Sequence, residues 1–244
     1  MKRWYVYPAD IFKPFECFME WELITIIAES NSWKTTFAMD IIRKNAELGR
    51  KGFYINLEFP IRQVRENRWL YNHWKTKINL TDLEPLTPEQ EQDKENYINE
   101  NLKKFDYYNN PKWMKLQDLV NVISQKALEW YELFVVDTFS KIEWNLTENP
   151  RANQNKCMET FQELAQRLWV AIILLHHTNR AWTFEGSQKI MDLSNVFIIM
   201  TKQDADWAIP EYRTFTLSKD KYITKTELDV RYDNWVYYNY YDRW

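Results

Sequence analysis

The sequence predicts an α/β domain with a mainly parallel central sheet, helices on both faces and an antiparallel edge at its C-terminal end. Three observations carry that expectation. Apolar runs of strand length alternate with amphipathic runs of helical length along most of the chain, the order that builds a parallel sheet covered on both sides. Residues 21–60, WELITIIAESNSWKTTFAMDIIRKNAELGRKGFYINLEFP, read as strand, phosphate loop, helix and a second strand ending in an acid. The runs near 213–240 alternate apolar and polar residues, as strands near a sheet edge do.

Residues 1–20 are an aromatic lead-in with Pro8 and Pro14, suited to packing beside the core or on a neighbouring subunit. The domain proper is expected over 21–244. Leu23 to Ala28 suits a buried strand. Lys34, Thr35 and Thr36 follow where a phosphate loop places its lysine and its magnesium-binding hydroxyl. Phe37, Ala38, Ile41, Ile42 and Ala46 then recur at helical spacing, and Gly49 is a good C-cap. Residues 53–57 form the next strand, with Glu58 at its tip. Residues 61–112 contain no obvious core strand and read as a helical insertion. Its first part, 61–73, is helical; Thr87 as N-cap, Pro88 at the first helical position and acids in the first turn then start another helix. That helix suits a subunit contact or a solvated surface.

Leu116, Leu119, Val120, Ile123 and Leu128 mark a helix over 116–128. It leads into the apolar run 133–136, closed by Asp137. Many buried strands end in aspartate, but one downstream of a phosphate loop belongs near a magnesium ion. Residues 139–155 read as a polar loop, and 157–168 as a helix with Met158, Phe161, Leu164, Ala165 and Leu168 on one face. A buried strand over 170–175 is followed by His176, His177, Thr178, Asn179 and Arg180. Such a polar cluster at a strand tip can sense a phosphate. The alternatives are packing or a metal site, for which no carboxylate or cysteine partner has suitable spacing. Residues 181–189, with Gly186 and Ser187, form a further loop, and 196–200 another buried strand. Strands over 213–218, 227–232 and 236–240 complete the chain, with Lys219, Asp220 and Lys221 between the first two.

A chain of 244 residues can hold one large domain with a sizeable core. A net charge of -3 argues against a generally basic nucleic-acid coat, although local patches stay open. Cys17 and Cys157 match no metal spacing, so a reduced, cytoplasmic protein is expected. No signal-peptide core and no membrane-length apolar run is visible.

Glycine and tryptophan are both abnormal. An average chain of this size carries about 17 glycines at about 7%, whereas this one has 3, beside 13 tryptophans. Many tryptophans stand where backbone chemistry wants glycine. Trp130 and Trp169 each follow a helix and precede a strand; Trp21 and Trp235 also precede strands, and Trp182 and Trp207 lie in loops. The helix ends call for φ > 0, which tryptophan tolerates poorly. The codon UGA is stop in the common code, tryptophan in one variant code and glycine in another. A glycine-reading gene translated with the tryptophan table would produce this pattern. The other reading is a truly tryptophan-rich, degenerate homologue. Trp4, Trp69 and Trp244 sit in less glycine-like contexts.

The order of motifs resembles the RecA-fold P-loop ATPases, and among them the ATPase domain of DnaB-type hexameric helicases, over nearly the whole chain. Ala28, Glu29, Ser30, Asn31, Ser32, Trp33, Lys34 and Thr35 match that family's phosphate loop, A/G-x-x-x-x-G-K-T, except at Trp33. Leu57-Glu58-Phe59-Pro60 fits the position of the family's catalytic glutamate, and Arg62 and Arg65 lie on the helix that follows. Asp137 resembles the Walker B aspartate. The segment 176–180 corresponds to the family's Ser-Gln-Leu-Asn-Arg motif, which puts His177 at the phosphate-sensing glutamine, where histidine can donate the same hydrogen bond. The histidine pair and GSQKIMDLSNV lean towards RepA-, RadA- and KaiC-like proteins; the long 61–112 segment leans towards DnaB.

The resemblance implies ATP and Mg²⁺, with Lys34 on the phosphates, Thr35 and Asp137 at the metal, Thr36 in the loop and Glu58 activating water. His177 would couple the γ-phosphate to the following loop, where Arg180 and Lys189 are candidates for contact with single-stranded DNA. Lys219 and Lys221 stand where the family reaches across a ring, with lysine in place of arginine, whose planar fork it does not reproduce. The expected function is an ATP-dependent, DNA-acting motor in a ring, hexameric in the family. The alternative is an inactive or regulatory KaiC-like scaffold acting through protein contacts. As spelled, Trp33 would occupy phosphate space and impair ATP binding.

Overall fold

The computed structural model describes residues 4–29, 33–74, 85–103, 105–109, 112–143, 149–178, 187–202, 212–220, 224–233 and 236–239. In chain order the strands and α-helices are β1 (Trp4–Val6), β2 (Cys17–Met19), β3 (Leu23–Ala28), α1 (Lys34–Glu47), β4 (Gly52–Asn56), α2 (Ile61–Trp74), α3 (Pro88–Leu102), β5 (Asp106–Asn109), β6 (Met114–Lys115), α4 (Leu116–Leu128), β7 (Leu133–Asp137), β8 (Ile142–Glu143), α5 (Pro150–Leu168), β9 (Ala171–His177), α6 (Ser187–Leu193), β10 (Val196–Lys202), β11 (Tyr212–Lys219), β12 (Thr226–Asp233) and β13 (Val236–Asn239). Nine strands form one sheet in the order β13-β12-β11-β10-β3-β9-β7-β4-β5. Every pair from β10 to β5 is parallel, and β10 through β13 are joined antiparallel. The expected class is therefore the observed one.

Alternation along each central strand divides the core in two. On β3, Ile24, Ile26 and Ala28 point to one face, while Leu23 and Ile27 point to the other; Ala171, Ile173 and Leu175 oppose Ile172 and Leu174 on β9 in the same way. Phe37, Ala38, Ile41 and Ile42 of α1 cover the first face. Leu119 and Ile123 of α4, with Phe161, Leu164 and Ala165 of α5, cover the second. Burying both faces of a parallel sheet explains why its strands are continuous apolar runs.

The aromatic lead-in packs on its own chain. Tyr5, Tyr7, Phe12, Phe15 and Phe18 are buried on the α1 side, and Phe12 meets Phe37, Phe215 and Tyr237 at centroid distances of 5.0, 5.1 and 5.4 Å. Asn45, fully buried in α1, holds β1 there. Its Nδ2 donates to the carbonyls of Val6 (2.8 Å) and Ile41 (2.9 Å), and its Oδ1 accepts from Val6 N–H (3.1 Å) and Arg50 (2.9 Å).

The structure differs from the sequence expectations in several places, among them a strand, β9, that runs on through His176 and His177. The insertion carries a strand after all: β5, DYYN, pairs in parallel with the edge of β4. Because it is mostly exposed, it needs no apolar run to announce it. Helix α5 begins at Pro150 inside the expected polar loop, where Asn149 accepts from Arg151 N–H and proline takes the first helical position. Helix α6 starts at Ser187, within another expected loop. Helix α3 has the expected N-cap at Thr87, and Gln90 completes a capping box with it. It packs on α2, where Trp69 donates Nε1–H to Asp93 at 2.9 Å. Among the described residues no helix is long and apolar enough to cross a membrane.

Replacing Asn45 with alanine strands the Val6 N–H and carbonyl without their side-chain partners. At about 1 kcal/mol net per hydrogen bond, more where a buried group is orphaned, Asn45→Ala is expected to cost about 2–4 kcal/mol in urea unfolding. A loss below about 1 kcal/mol would show that the lead-in is not tied down through this residue.

Candidate functional site

The C-terminal tips of β3, β4, β7 and β9 lie side by side, and each delivers a polar group to one crevice. Such crevices outside the carboxyl ends of parallel strands are where α/β sheets hold ligands. From β3 the chain passes Ala28 and Glu29 and enters α1 through Trp33 and Lys34; Ser30, Asn31 and Ser32 lie outside the described residues. Lys34 is the first residue of α1, so its ammonium and the helix N-terminus present positive charge together. Thr36 follows two positions on and is half-buried.

Lys34 is buried, 4% exposed, with Nζ 3.5 Å from His177 Nδ1. The other imidazole nitrogen, Nε2, lies 3.2 Å from Glu58 Oε2. One ring thus bridges the lysine of the loop and the acid beyond β4. Asp137, at the end of β7, has essentially no exposed surface. Its Oδ2 accepts from the Thr35 hydroxyl and from the Tyr54 hydroxyl, each at 2.6 Å. Its Oδ1 is buried without a hydrogen-bond partner among the described residues.

Backbone and side-chain contacts hold the four strand tips in register. Leu57 N–H donates to the Asp137 carbonyl (2.6 Å) and Thr178 N–H to the Ala28 carbonyl (3.0 Å). The Thr138 hydroxyl donates to the Leu175 carbonyl at 2.7 Å. Asn56 donates to the Phe59 carbonyl and to Asn109 Oδ1, and accepts from Glu58 N–H, shaping the turn that presents Glu58.

Burial dominates the electrostatics. It lowers the Lys34 ammonium below its ordinary value, although Asp137 and Glu58 pull the other way. It raises the Asp137 carboxyl against the pull of Lys34, Thr35 and Tyr54. Burial also pushes Glu58 upward, but its hydrogen bond to His177 and the charges of His177, Lys34 and Lys141 outweigh that and leave it below the usual value. A buried cation and a buried carboxylate, each pushed towards neutrality, suit a site completed by charged ligand groups. The Oδ1 of Asp137 suits a cation or its water. Among the described residues no group of three or more His, Cys, Asp or Glu could hold a metal by itself. Mg²⁺ would depend on Thr35, Asp137 and ligand phosphates, its usual mode.

Trp33 stands at the mouth of the site as the N-cap of α1, in the left-handed region with φ 65° and ψ 10°. Its half-buried indole packs on the α1-side core, with the Arg213 guanidinium 4.2 Å from the ring centroid. Lys189 is exposed on α6. Lys219 is engaged within its own chain, its Nζ donating to the carbonyls of Met191 (2.9 Å) and Asp192 (2.6 Å). Arg180 and Lys221 lie outside the described residues. Tyr54 was not legible as a site residue: it sits inside an apolar strand, and only sheet pairing brings it to Asp137. A groove of about 680 Å³ between α4 and α5 is lined by Gln117, Val120, Lys156, Glu163 and Arg167 among others and includes none of these site residues.

No protein-family model matches the sequence, and no curated protein does. Solved structures do. The ATPase domain of one such protein aligns at TM-score 0.70 and 12% identity, over 91% of this chain and 86% of that one. A DnaB-like replicative helicase aligns at 0.71 and 11%, over 88% of this chain, which spans 57% of the helicase. A KaiC-like protein from Pyrococcus horikoshii gives 0.60 and 17%, over 91% of both chains. The RadB recombinase gives 0.57 and 14%, over 89% of this chain and 90% of the other. The fold is therefore RecA-like.

Two outcomes follow from the geometry. Tyr54→Phe removes one donor to a buried carboxylate and is expected to cost about 1–3 kcal/mol in urea unfolding, whereas Tyr54→Ala adds a cavity and costs about 3–5 kcal/mol. A Tyr54→Phe protein as stable as the parent would deny the hydroxyl a role. Burial, reinforced by the charges of His177 and Lys34, holds the His176 imidazole down at about 4. The unfolded chain binds a proton there at about pH 6.5 that the folded chain refuses until about pH 4, so stability falls as pH drops through that window. His176→Phe should shrink the difference between urea midpoints at about pH 7 and about pH 5; an unchanged difference would place the acid sensitivity elsewhere.

Proposed function

We propose that this chain is an ATP-hydrolysing domain of the RecA/DnaB type that acts on single-stranded DNA as part of a ring, hexameric as in the family it resembles. The observation that supports this most is the convergence of Lys34, Thr35, Glu58, Asp137 and His177 at adjacent strand tips. Phosphoryl transfer asks the protein for little covalent chemistry and much positioning, and these five side chains divide that work.

Backbone N–H groups of 29–34 and the Lys34 ammonium would hold phosphate oxygens at the start of α1. Thr35 and Asp137 would hold Mg²⁺, which supplies charge neutralisation at the transferred phosphoryl group. Glu58, kept ionised by His177, would orient a water and accept its proton at a carboxylate oxygen. His177, in contact with both Lys34 and Glu58, would report the state of the site to the chain after Thr178. Arg180 and the exposed Lys189 are the candidates for DNA phosphates, and Lys221 for a neighbouring site. Lys219, held by carbonyls of α6, would have to release those contacts to reach across.

A second reading, a KaiC-like regulatory scaffold, is favoured by one feature, the indole of Trp33 at the phosphate loop. ATP turnover of the Trp33→Gly protein, with and without single-stranded DNA, separates the two. The motor reading expects turnover that DNA stimulates and that Glu58→Gln reduces by about 10²–10⁴-fold. Absence of turnover in the Trp33→Gly protein overturns the ATPase, and turnover indifferent to DNA favours the regulatory reading.

A further inference from the structure

Among the described residues, five that are not glycine have positive φ: Glu16, Trp21, Trp33, Trp130 and Trp169. Four of the five are tryptophan, which supplies 13 of 244 residues. A bulky side chain at φ > 0 is an outlier anywhere, because Cβ crowds the backbone. Finding one residue type at four such positions requires a common cause.

The local hydrogen bonds show what each position demands. Helix α1 closes at Gly49, φ 78°: Gly49 N–H donates to the Ala46 carbonyl and Arg50 N–H to the Asn45 carbonyl. Helix α4 closes in the same way at Trp130, φ 69°, with Trp130 N–H on Ala127 and Tyr131 N–H on Lys126. This paired closure is the one that helices ordinarily end with glycine. Helix α5 ends at Trp169, φ 55° and ψ 47°, with Trp169 and Val170 N–H groups both on the Ala165 carbonyl. Trp21, φ 69°, is the third residue of a turn in which Glu22 N–H returns to the Met19 carbonyl, the place where type II turns take glycine.

Two of the four project most of their surface into solvent. Trp130 is 76% exposed and Trp169 61% exposed. Trp69 is the contrast: buried, on α2, its indole N–H satisfied by Asp93. It has no positive φ, and neither have Trp4, Trp74 or Trp113. Glu16, with ψ -104°, lies outside the left-handed helical well.

We infer that positions 21, 33, 130 and 169 are glycine in the natural polypeptide, written as tryptophan because UGA codons of a glycine-reading gene were translated with the wrong table. Position 33 deepens the functional reading above and rests on it only in this respect: glycine there leaves the N-terminus of α1 open to a phosphate. The inference about residue identity is independent of any activity. Each site has a left-handed backbone that glycine adopts freely.

The codons decide it first. UGA is expected at 21, 33, 130 and 169, and UGG at 69; UGG at the four positions overturns the inference. Peptide masses from the protein isolated from its source cells give the second reading, with glycine expected at the four positions and tryptophan at 69, and tryptophan at all five overturning it. The third needs only recombinant protein. The chain with Trp21→Gly, Trp130→Gly and Trp169→Gly is expected to unfold at a higher urea concentration than the chain as written, although it loses the Trp21–Trp169 ring contact. A lower midpoint counts against the inference. None of these readouts involves ATP or DNA, so their failure and the failure of the ATPase reading are separately visible.

Discussion

One oxygen of Asp137 accepts hydrogen bonds from the Thr35 and Tyr54 hydroxyls, and this shared acceptor joins α1, β4 and β7 at the candidate site. A buried carboxylate is expensive unless its lone pairs are occupied. The fold answers half of that demand with two short hydrogen bonds and leaves Oδ1 without a partner among the described residues. That oxygen is the acceptor a cation or its water would fill. Lys34 stands close enough to share the field, and both groups are pushed towards neutrality by the same burial.

His177 couples this pair to the acid beyond β4. Its ring lies between Lys34 Nζ and Glu58 Oε2, so movement at either partner changes the hydrogen bond available to the other. Thr178, the residue after β9, has its N–H tied to the end of β3. The start of α1 and the end of β3 are therefore each joined directly to the chain at the end of β9, through Lys34–His177 and Ala28–Thr178. Parallel topology makes these contacts possible, since it brings four strand ends from distant parts of the sequence to one edge.

Left-handed backbone positions are the other constraint on the architecture. Helices α1, α4 and α5 must reverse sharply into β4, β7 and β9, and each does so through a residue with positive φ. Gly49 meets that requirement at no steric cost. Trp130 and Trp169 meet it with exposed indoles, which is why residue identity and backbone conformation disagree there while the fold remains regular. At Trp33 the same disagreement falls next to Lys34, in the candidate site.

Much of this was legible in the residues. Continuous apolar runs such as LITIIA and LFVVD suit strands buried on both faces, and Gly49, Thr87 and Pro88 marked helix ends by chemistry that acts within a few residues. Lys34, Thr35, Glu58, Asp137 and His177 were readable because each follows an apolar run at a position where a parallel sheet presents its tips. Exposed β5 was not readable, since an edge strand that buries little leaves no apolar signature, and α5 began earlier than its hydrophobic face suggested because Asn149 and Pro150 cap it without apolar residues. Sequence by itself determined the fold class, the strand tips and the conflict between tryptophan and left-handed backbone, because all three rest on local sterics and periodicity. Only the tertiary structure decided that Tyr54 supports Asp137, that one imidazole spans Lys34 and Glu58, that Lys219 is held by α6 and that the aromatic lead-in packs on its own chain. Those contacts join residues far apart in sequence, and nothing local encodes which of them meet.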